Sequence, residues 1–187
     1  LGLWLGDGNY HSQKITNIDT EIIEYLGQYA VRLDSELREH IQENKTPQYT
    51  IVKKHKNYLD ESQVIIQEKL RTLNVLKNKH IPQSFLINSS ENRLQLLAGI
   101  IDSDGYYSSE FNCFEIVQKN EKLLNQIKFL CNSLGLRTSV RKKKTTIKST
   151  GFEGEAFRLR IFGNLDTIPT KVERKKARAW KSSVDWK

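Results

Sequence analysis

Cysteine is scarce in this 187-residue chain, which has two, Cys113 and Cys131, and its four histidines, His11, His40, His55 and His80, are scattered. The cysteines are too few for a disulfide framework and too far apart for a zinc knuckle, so both are expected as buried free thiols. Histidines without metal-ligand spacing argue against a zinc site. Long apolar runs are missing as well. None approaches the roughly 18 to 20 residues of a membrane span, and no charged-then-apolar signal segment opens the chain. A soluble, intracellular protein is expected, and 37% hydrophobic content suffices for a core in one domain or two small ones.

Acidic charge is thin in one region. The net charge is +8, but residues 137 to 187 hold 15 Lys or Arg against 5 acidic residues, whereas residues 1 to 136 hold 15 against 17. A basic segment of this kind is the electrostatic footprint of a nucleic-acid binder, although an acidic protein partner would fit it too.

What the chain does contain is a repeat. "LGLWLGDG" (residues 1–8) and "LLAGIIDSDG" (residues 96–105) both end on a small residue, Asp and Gly, with Asp7 and Asp104 97 positions apart. Each is followed by a strand-like segment, "NYHSQKITNI" or "YYSSEFNCFEIVQ". A helix comes next, with Ile22, Leu26, Tyr29, Ala30 and Leu33, or Leu123, Ile127, Leu130, Cys131 and Leu134, at helical spacing. Asp19 and Asn120 fit N-caps and Gly135 a C-terminal stop. Further strand pairs flank the turn signals "NKTP" ("ELREHIQE", "QYTIVKK") and "STGFEG" ("RTSVRKKKTTIK", "EAFRLRIF"). Each half therefore reads helix, strand, helix, strand, strand. Between the halves "ESQVIIQEKLRTLNVLKN" reads as a helix, and "KHIPQSFLINSSENR" leads to the second motif, with Ser89 or Ser90 as its N-cap. The pattern is a tandem duplication of an α+β unit.

The motif helices pose an electrostatic question. A helix ends on the negative pole of its dipole, so an aspartate there is disfavoured by roughly 0.3 to 1 kcal/mol unless something positive sits beside it. Gly2 and Gly6, and Gly99 and Ser103, are four apart and clear one face of each helix, so the two backbones can approach closely. Packed in this way, the helices bring Asp7 and Asp104 side by side. Two adjacent carboxylates repel and raise each other's pKa unless a divalent cation neutralises them, and hard oxygen donors suit Mg²⁺.

These residues resemble the LAGLIDADG homing endonucleases. "LLAGIIDSDG" matches the family signature nearly letter for letter, and "LGLWLGDG" is a looser variant of the kind usual in two-motif members. The resemblance covers essentially the whole chain. "NKHIPQSFL" and "KVERKKARAW" look most like the endonuclease regions of inteins, fungal nuclear ones above all. The fold implied is α+β, with tandem pseudo-symmetric αββαββα units whose saddle-shaped antiparallel sheets lie on DNA. Residues 1–78 would form the first half, 79–95 the linker and approach to the second motif helix, and 96–187 the second half with its basic C-terminal segment.

The activity implied is site-specific, double-strand DNA cleavage with a staggered cut in intein homing. Mg²⁺ would be the cofactor, with Mn²⁺ as substitute, and the target a long, imperfectly symmetric duplex. The protein would act as a monomer, in the nucleus if the host is eukaryotic. Asp7 and Asp104 map to the metal-binding acids, with Gly6 and Ser103 beside them in the metal site. Asp102 has no counterpart, since Leu5 holds its place, and reads as structural. Lys79 in "KHIP" and Lys176 in "RKKAR", with Lys175 as the alternative, would act electrostatically on charge developing at phosphorus. The chain begins with Leu1 and ends "SSVDWK", without the nucleophilic first residue and terminal His-Asn pair of intein splicing. The splicing domain that originally flanked it is thus expected to be absent.

Charge and alternation supply candidate DNA contacts. These are Arg137, Arg141, Lys142, Lys143 and Lys144 along one strand, and Arg158 and Arg160 along the next. Alternation puts Arg158 and Arg160 on one face, while the run 141–144 points both ways. In the first half Asp60 and Glu61 offset Lys53, Lys54 and Lys56. The rival reading keeps the fold without the chemistry, as a catalytically inactive DNA-binding module or an RNA-splicing maturase. Retention of both Asp7 and Asp104 favours the enzyme.

Overall fold

A computed structural model describes residues 1–54, 65–147 and 152–179, with backbone alone for residues 65, 145–147, 152 and 153. His55, Lys56, Asp60, Glu61 and the start of the predicted linker helix lie outside the described residues. The first repeat runs α1 (Gly2–Asp7), β1 (Ile15–Thr16), α2 (Thr20–Arg32), β2 (Ser35–His40), β3 (Gln48–Lys53). Helices α3 (Ile65–Thr72) and α4 (Gln83–Leu86) lead to the second repeat. This runs α5 (Ser90–Asp104), β4 (Gly105–Ser108), β5 (Cys113–Gln118), α6 (Glu121–Ser133), β6 (Arg137–Ile147), β7 (Phe152–Phe162). The sheets are antiparallel, in the orders β1-β3-β2 and β4-β5-β7-β6. The fold is the α+β duplication expected. Among the described residues, no helix is long and apolar enough to cross a membrane.

The repeats differ where their sequences do. After the second motif, Tyr107, Phe114 and Ile116 face the core and the segment folds into the hairpin β4-β5. The matching first-half segment, "NYHSQK", has no such apolar alternation. There only Ile15–Thr16 pairs with β3, after a single bridge between Gly8 and Ile15. The loop is held by polar contacts, with Trp4 Nε1 donating to Ser12 O (2.9 Å) and Gln13 Nε2 to Ile51 O (3.1 Å).

The caps follow the sequence with one exception. Asn120 and Ser89 accept from the backbone N–H groups of Leu123 and Asn92. Gly135 ends α6 with φ +77°, so that its own N–H and that of Leu136 reach Asn132 O and Cys131 O. The predicted linker helix stops short of its expected end by the same device. Asn74 takes φ +54°, its N–H and that of Val75 return to Arg71 O and Leu70 O, and Val75 is driven into the core. The exception is Asp19, which stands at the N-cap of α2 without making a cap hydrogen bond.

Helix α1 shares its faces between two cores. Trp4 and Leu5 join Leu97, Ile100 and Ile101 of α5 and Phe114, Ile116, Leu159 and Ile161 of the second sheet. Leu3 packs with Ile22, Leu26, Tyr49 and Val172. Cys113 and Cys131 are buried free thiols, and burial pushes the Cys131 thiol up to about 12.

Candidate active site

Helices α1 and α5 touch backbone to backbone. A Cβ added at Gly2 would run into Leu96 O and stand 3.0 Å from Gly99 Cα, and one at Gly99 would lie 2.9 Å from Leu3 N. At the far end, a Cβ on Gly6 would run into the Ser103 hydroxyl and stand 3.1 Å from Asp104 Cγ. The small residues at i and i+4 thus do sterically what their spacing predicts. They bring together the last residues of the two helices, Asp7 and Asp104. After each, the chain leaves in extended conformation through Gly8 or Gly105. A Cβ at Gly8 would collide with Trp4 O, and one at Gly105 would stand 2.7 Å from Ile101 O.

The two carboxyls are in unequal settings. Asp7 is half-buried, and its Oδ2 accepts from Asn17 Nδ2 at 2.7 Å. Burial raises its pKa, while Asn17, Lys175 and Lys79 pull it down. Asp104 is reached by solvent at the end of α5. The protein packed around it and the Asp7 carboxylate beside it both push its pKa up, against Lys79 and Lys175.

The positive charge that the helix ends call for comes first from two ammonium groups. Lys79 Nζ donates to Gly6 O (2.9 Å) and lies 5.2 Å from the centre of the Trp4 ring. Lys175, with 6% of its surface exposed, donates to Ile101 O (3.0 Å), Asp102 O (2.6 Å) and Ser103 O (3.2 Å). Gly6 and Ser103 are the equivalent residues just before the two aspartates, so each lysine caps the C-terminus of one motif helix. Burial lowers both lysine pKa values, and the nearby carboxylates hold them up.

Lys176 lies elsewhere. Its side chain is 53% exposed and its ammonium pairs with Glu173. The structure therefore corrects the sequence preference and puts Lys175, the alternative, at the helix end. Adjacent lysines in an extended segment point to opposite sides, and spacing alone does not choose between them. Asp102 is buried and accepts from the N–H groups of Lys171 (3.1 and 2.9 Å) and Val172 (3.2 Å), which is the structural role expected for it.

The segments that carry the lysines cross over. The segment bearing Lys79 is clasped by the second repeat. Gln126 of α6 exchanges hydrogen bonds with Ile81 N and O (both 2.9 Å), and Asn120 Nδ2 donates to Lys79 O (3.1 Å). The segment bearing Lys175 is clasped by the first repeat. Arg174 makes a fork to both carboxylate oxygens of Asp19 (2.8 and 3.1 Å), and Glu173 N donates to Glu21 Oε1 (3.0 Å). This explains the missing cap, because the Asp19 carboxylate is spent on Arg174. Neither the Asn17 contact nor this fork carries a mark in the sequence, since each joins residues with no local signal of contact.

The strand registers sort the basic residues. Arg158 and Arg160 of β7 stand opposite Arg141 and Ser139 of β6, and Lys143 opposite Ala156, so Arg137, Arg141, Lys143, Arg158 and Arg160 share the sheet face away from the core. Lys142 and Lys144, expected with them as DNA contacts, fall on the reverse face, apart from the other five. There Lys142 meets Glu155 (3.9 Å) and the Phe157 ring (6.0 Å). In the first half Lys54 pairs with Asp34 (3.8 Å), and Arg38 on the outer face of that sheet pairs with Glu36 (3.0 Å).

The family model described as homing endonuclease matches residues 80–177. A replicative DNA helicase DnaB of Mycobacterium intracellulare is 31% identical over 144 residues, which are 77% of this chain and 20% of that protein. An ATP-dependent DNA helicase Hel308 of Methanocaldococcus jannaschii is 35% identical over 63 residues, 34% of this chain and 5% of that protein. The chain thus spans a small fraction of the length of these relatives. Among solved structures, the homing endonuclease I-DmoI in complex with DNA and Ca superposes with a TM-score of 0.52 at 14% identity, covering 86% of this chain and 79% of that one. A variant of I-DmoI, in complex with its target DNA in the presence of Mg, gives 0.54 at 14% identity, covering 86% and 85%. At such identity the likeness shows the fold.

Proposed function

Since this chain belongs to the homing endonuclease family, we propose that it is a metal-dependent, site-specific DNA endonuclease that makes a staggered double-strand cut in intein homing. The observation that carries this reading is the meeting of the α1 and α5 C-termini, which puts two carboxyls beside each other with an ammonium at each helix end. Their raised pKa values mark an arrangement that favours neutralisation, and carboxylate and carbonyl oxygens are hard donors of the kind Mg²⁺ takes. Asp7 and Asp104 would hold the divalent cation, Mg²⁺ or in its place Mn²⁺, with Gly6 O and Ser103 O beside it, each already accepting from an ammonium and left with its second lone pair. When bound, such an ion supplies charge neutralisation at the phosphate and a more acidic water.

The remaining chemistry belongs to the chain itself. Asn17 fixes the Asp7 carboxylate through Oδ2. Lys79 and Lys175, held against the helix-end carbonyls, present fixed positive charge where negative charge grows at phosphorus, and need no reorganisation to do so. Burial of the two ammoniums strengthens that effect. The basic outer face of the second sheet takes the duplex, with Arg158 and Arg160 toward base edges.

Residues 1–78 and 96–187 serve the two halves of a long, imperfectly symmetric target, joined by 79–95, and the duplication lets a monomer supply both sites. The proposal extends to a nuclear site of action in a eukaryotic host. A target recovered from a randomised duplex pool tests it. With Mg²⁺, Asp7→Ala and Asp104→Ala should each abolish cleavage and keep most of the binding, and wild-type cutting by either variant overturns the assignment.

A further inference from the structure

One carboxylate interrupts the basic face. Among the described strand residues of the second sheet's outer face, Glu115 of β5 is the acidic one, paired across the register with Arg160 and lying beside Arg158. Its side chain is 16% exposed. Oε1 accepts from Arg160 Nε at 2.6 Å, and Oε2 stands 3.5 Å from Arg158 Nε. The Arg160 guanidinium also lies 5.7 Å from the centre of the Phe111 ring. On a surface whose affinity comes from attracting phosphates, a half-sequestered carboxylate works against attraction, so its use must be sought in orientation.

We propose that Glu115 is a specificity residue, which buttresses Arg158 and Arg160 so that each offers its terminal nitrogens to a guanine edge. Glu115 hydrogen-bonds Arg160 at Nε and stands at ion-pair distance from Arg158 Nε, a buried nitrogen with no hydrogen-bond partner. The Nη1 and Nη2 fork that binds O6 and N7 of guanine is therefore not the part that Glu115 takes up. The Arg160 guanidinium, held at Nε and against an aromatic ring, cannot swing freely to the nearest phosphate, and for Arg158 the adjacent carboxylate supplies the same bias electrostatically. Two residues along a strand span about 6.6 Å, and successive bases rise about 3.4 Å, so the guanines read are about two base steps apart in the second half of the target.

This inference rests on the proposed DNA-binding reading of the second sheet, and the experiment separates the two. Duplexes selected by the wild-type protein should carry two guanines at that spacing. Affinity is then measured without Mg²⁺ for the selected duplex, for guanine-to-adenine versions of it and for a random duplex, over a range of salt. Glu115→Gln should bind the random duplex several-fold more tightly, with a salt slope steeper by about 0.9 for each additional phosphate neutralised. It should also lose about tenfold in discrimination at each guanine. Unchanged discrimination, or random-duplex binding that does not rise, overturns the proposal. Arg160→Lys keeps the charge and removes the fork, and should lose discrimination at one guanine only. If circular dichroism shows Glu115→Gln to be misfolded, Arg160→Lys decides alone, and retained discrimination in it overturns the proposal. Wild-type protein that binds no duplex overturns the DNA reading itself.

Discussion

Asp104→Asn should make the metal-free protein more stable. The Asp104 carboxylate closes α5 at the negative pole of its dipole, beside the Asp7 carboxylate, and its pKa is raised by burial first and Asp7 second. A carboxyl raised in the folded state costs nothing below its ordinary value of 3.8. Stability falls as pH climbs from there through the elevated folded value, and the whole penalty stands at neutral pH. An unfavourable charge at a helix end is worth about 0.3 to 1 kcal/mol. The neighbouring carboxylate adds to this, and solvent access and the ammoniums of Lys79 and Lys175 subtract, so we expect a stabilisation of about 0.5 to 1 kcal/mol for the neutral isostere. For a chain of this size that is about 1 to 4 °C in Tm.

Divalent metal should reverse the ranking. A cation at about 100 times its Kd stabilises the wild type by about 2.7 kcal/mol, or roughly 5 to 10 °C, and the variant with a broken ligand set by far less. Scanning calorimetry in EDTA and in excess Mg²⁺ reads both effects. A lower Tm for Asp104→Asn in EDTA, or an undiminished metal-induced rise, would refute the reasoning.

Lys175→Met should slow single-turnover cleavage by about 10² to 10³, as loss of one preorganised donor does, whereas Lys176→Met should stay within about twofold. Strand-labelled duplex measures both, and equal effects would return Lys176 to the site. Gly2→Ala should cost about 1 to 3 kcal/mol, because its Cβ meets Leu96 O and Gly99 in a seam that cannot give without parting the helices; denaturant titration checks it. Replacing Arg141 and Lys143 together by Gln should flatten the slope of log K against log salt by up to about 1.8, and the same change at Lys142 and Lys144, on the reverse face, by less than about 0.9. Titration that ranked the pairs the other way would move the DNA to the other face.

The repeat, the helix contact and the meeting of Asp7 and Asp104 were legible because each follows from a local rule. Small residues at i and i+4 clear a helix face, and an offset kept near 97 to 101 residues makes the two halves alike. The missing cation was legible only in part. The helix ends show that positive charge is required without showing whether a metal or a side chain supplies it, and Lys79 and Lys175 stand there first. Lys175 could not be told from Lys176 because the choice depends on which side of an extended segment meets α5. That orientation is fixed by Asp102 holding residues 171 and 172, at a separation of about seventy positions. Strand β1 is shorter than its sequence suggests for the opposite reason, since strand-like residues without an apolar alternation have no core face to occupy.

On the proposed nuclease reading, the crossed segments also bear on when the chain could first act on DNA. Each ammonium sits on the helix of one repeat, yet the chain that delivers it is fastened to the other, Lys79 through Gln126 and Asn120 and Lys175 through Asp19 and Glu21. A nascent or partly unfolded molecule with only one repeat in place therefore has an aspartate without its secured lysine. The proposed cleavage would thereby be tied to completed folding. The same interlock sets a rule for dissection, because a single repeat excised for engineering would have to bring with it, or be redesigned to replace, the clasp its partner provides.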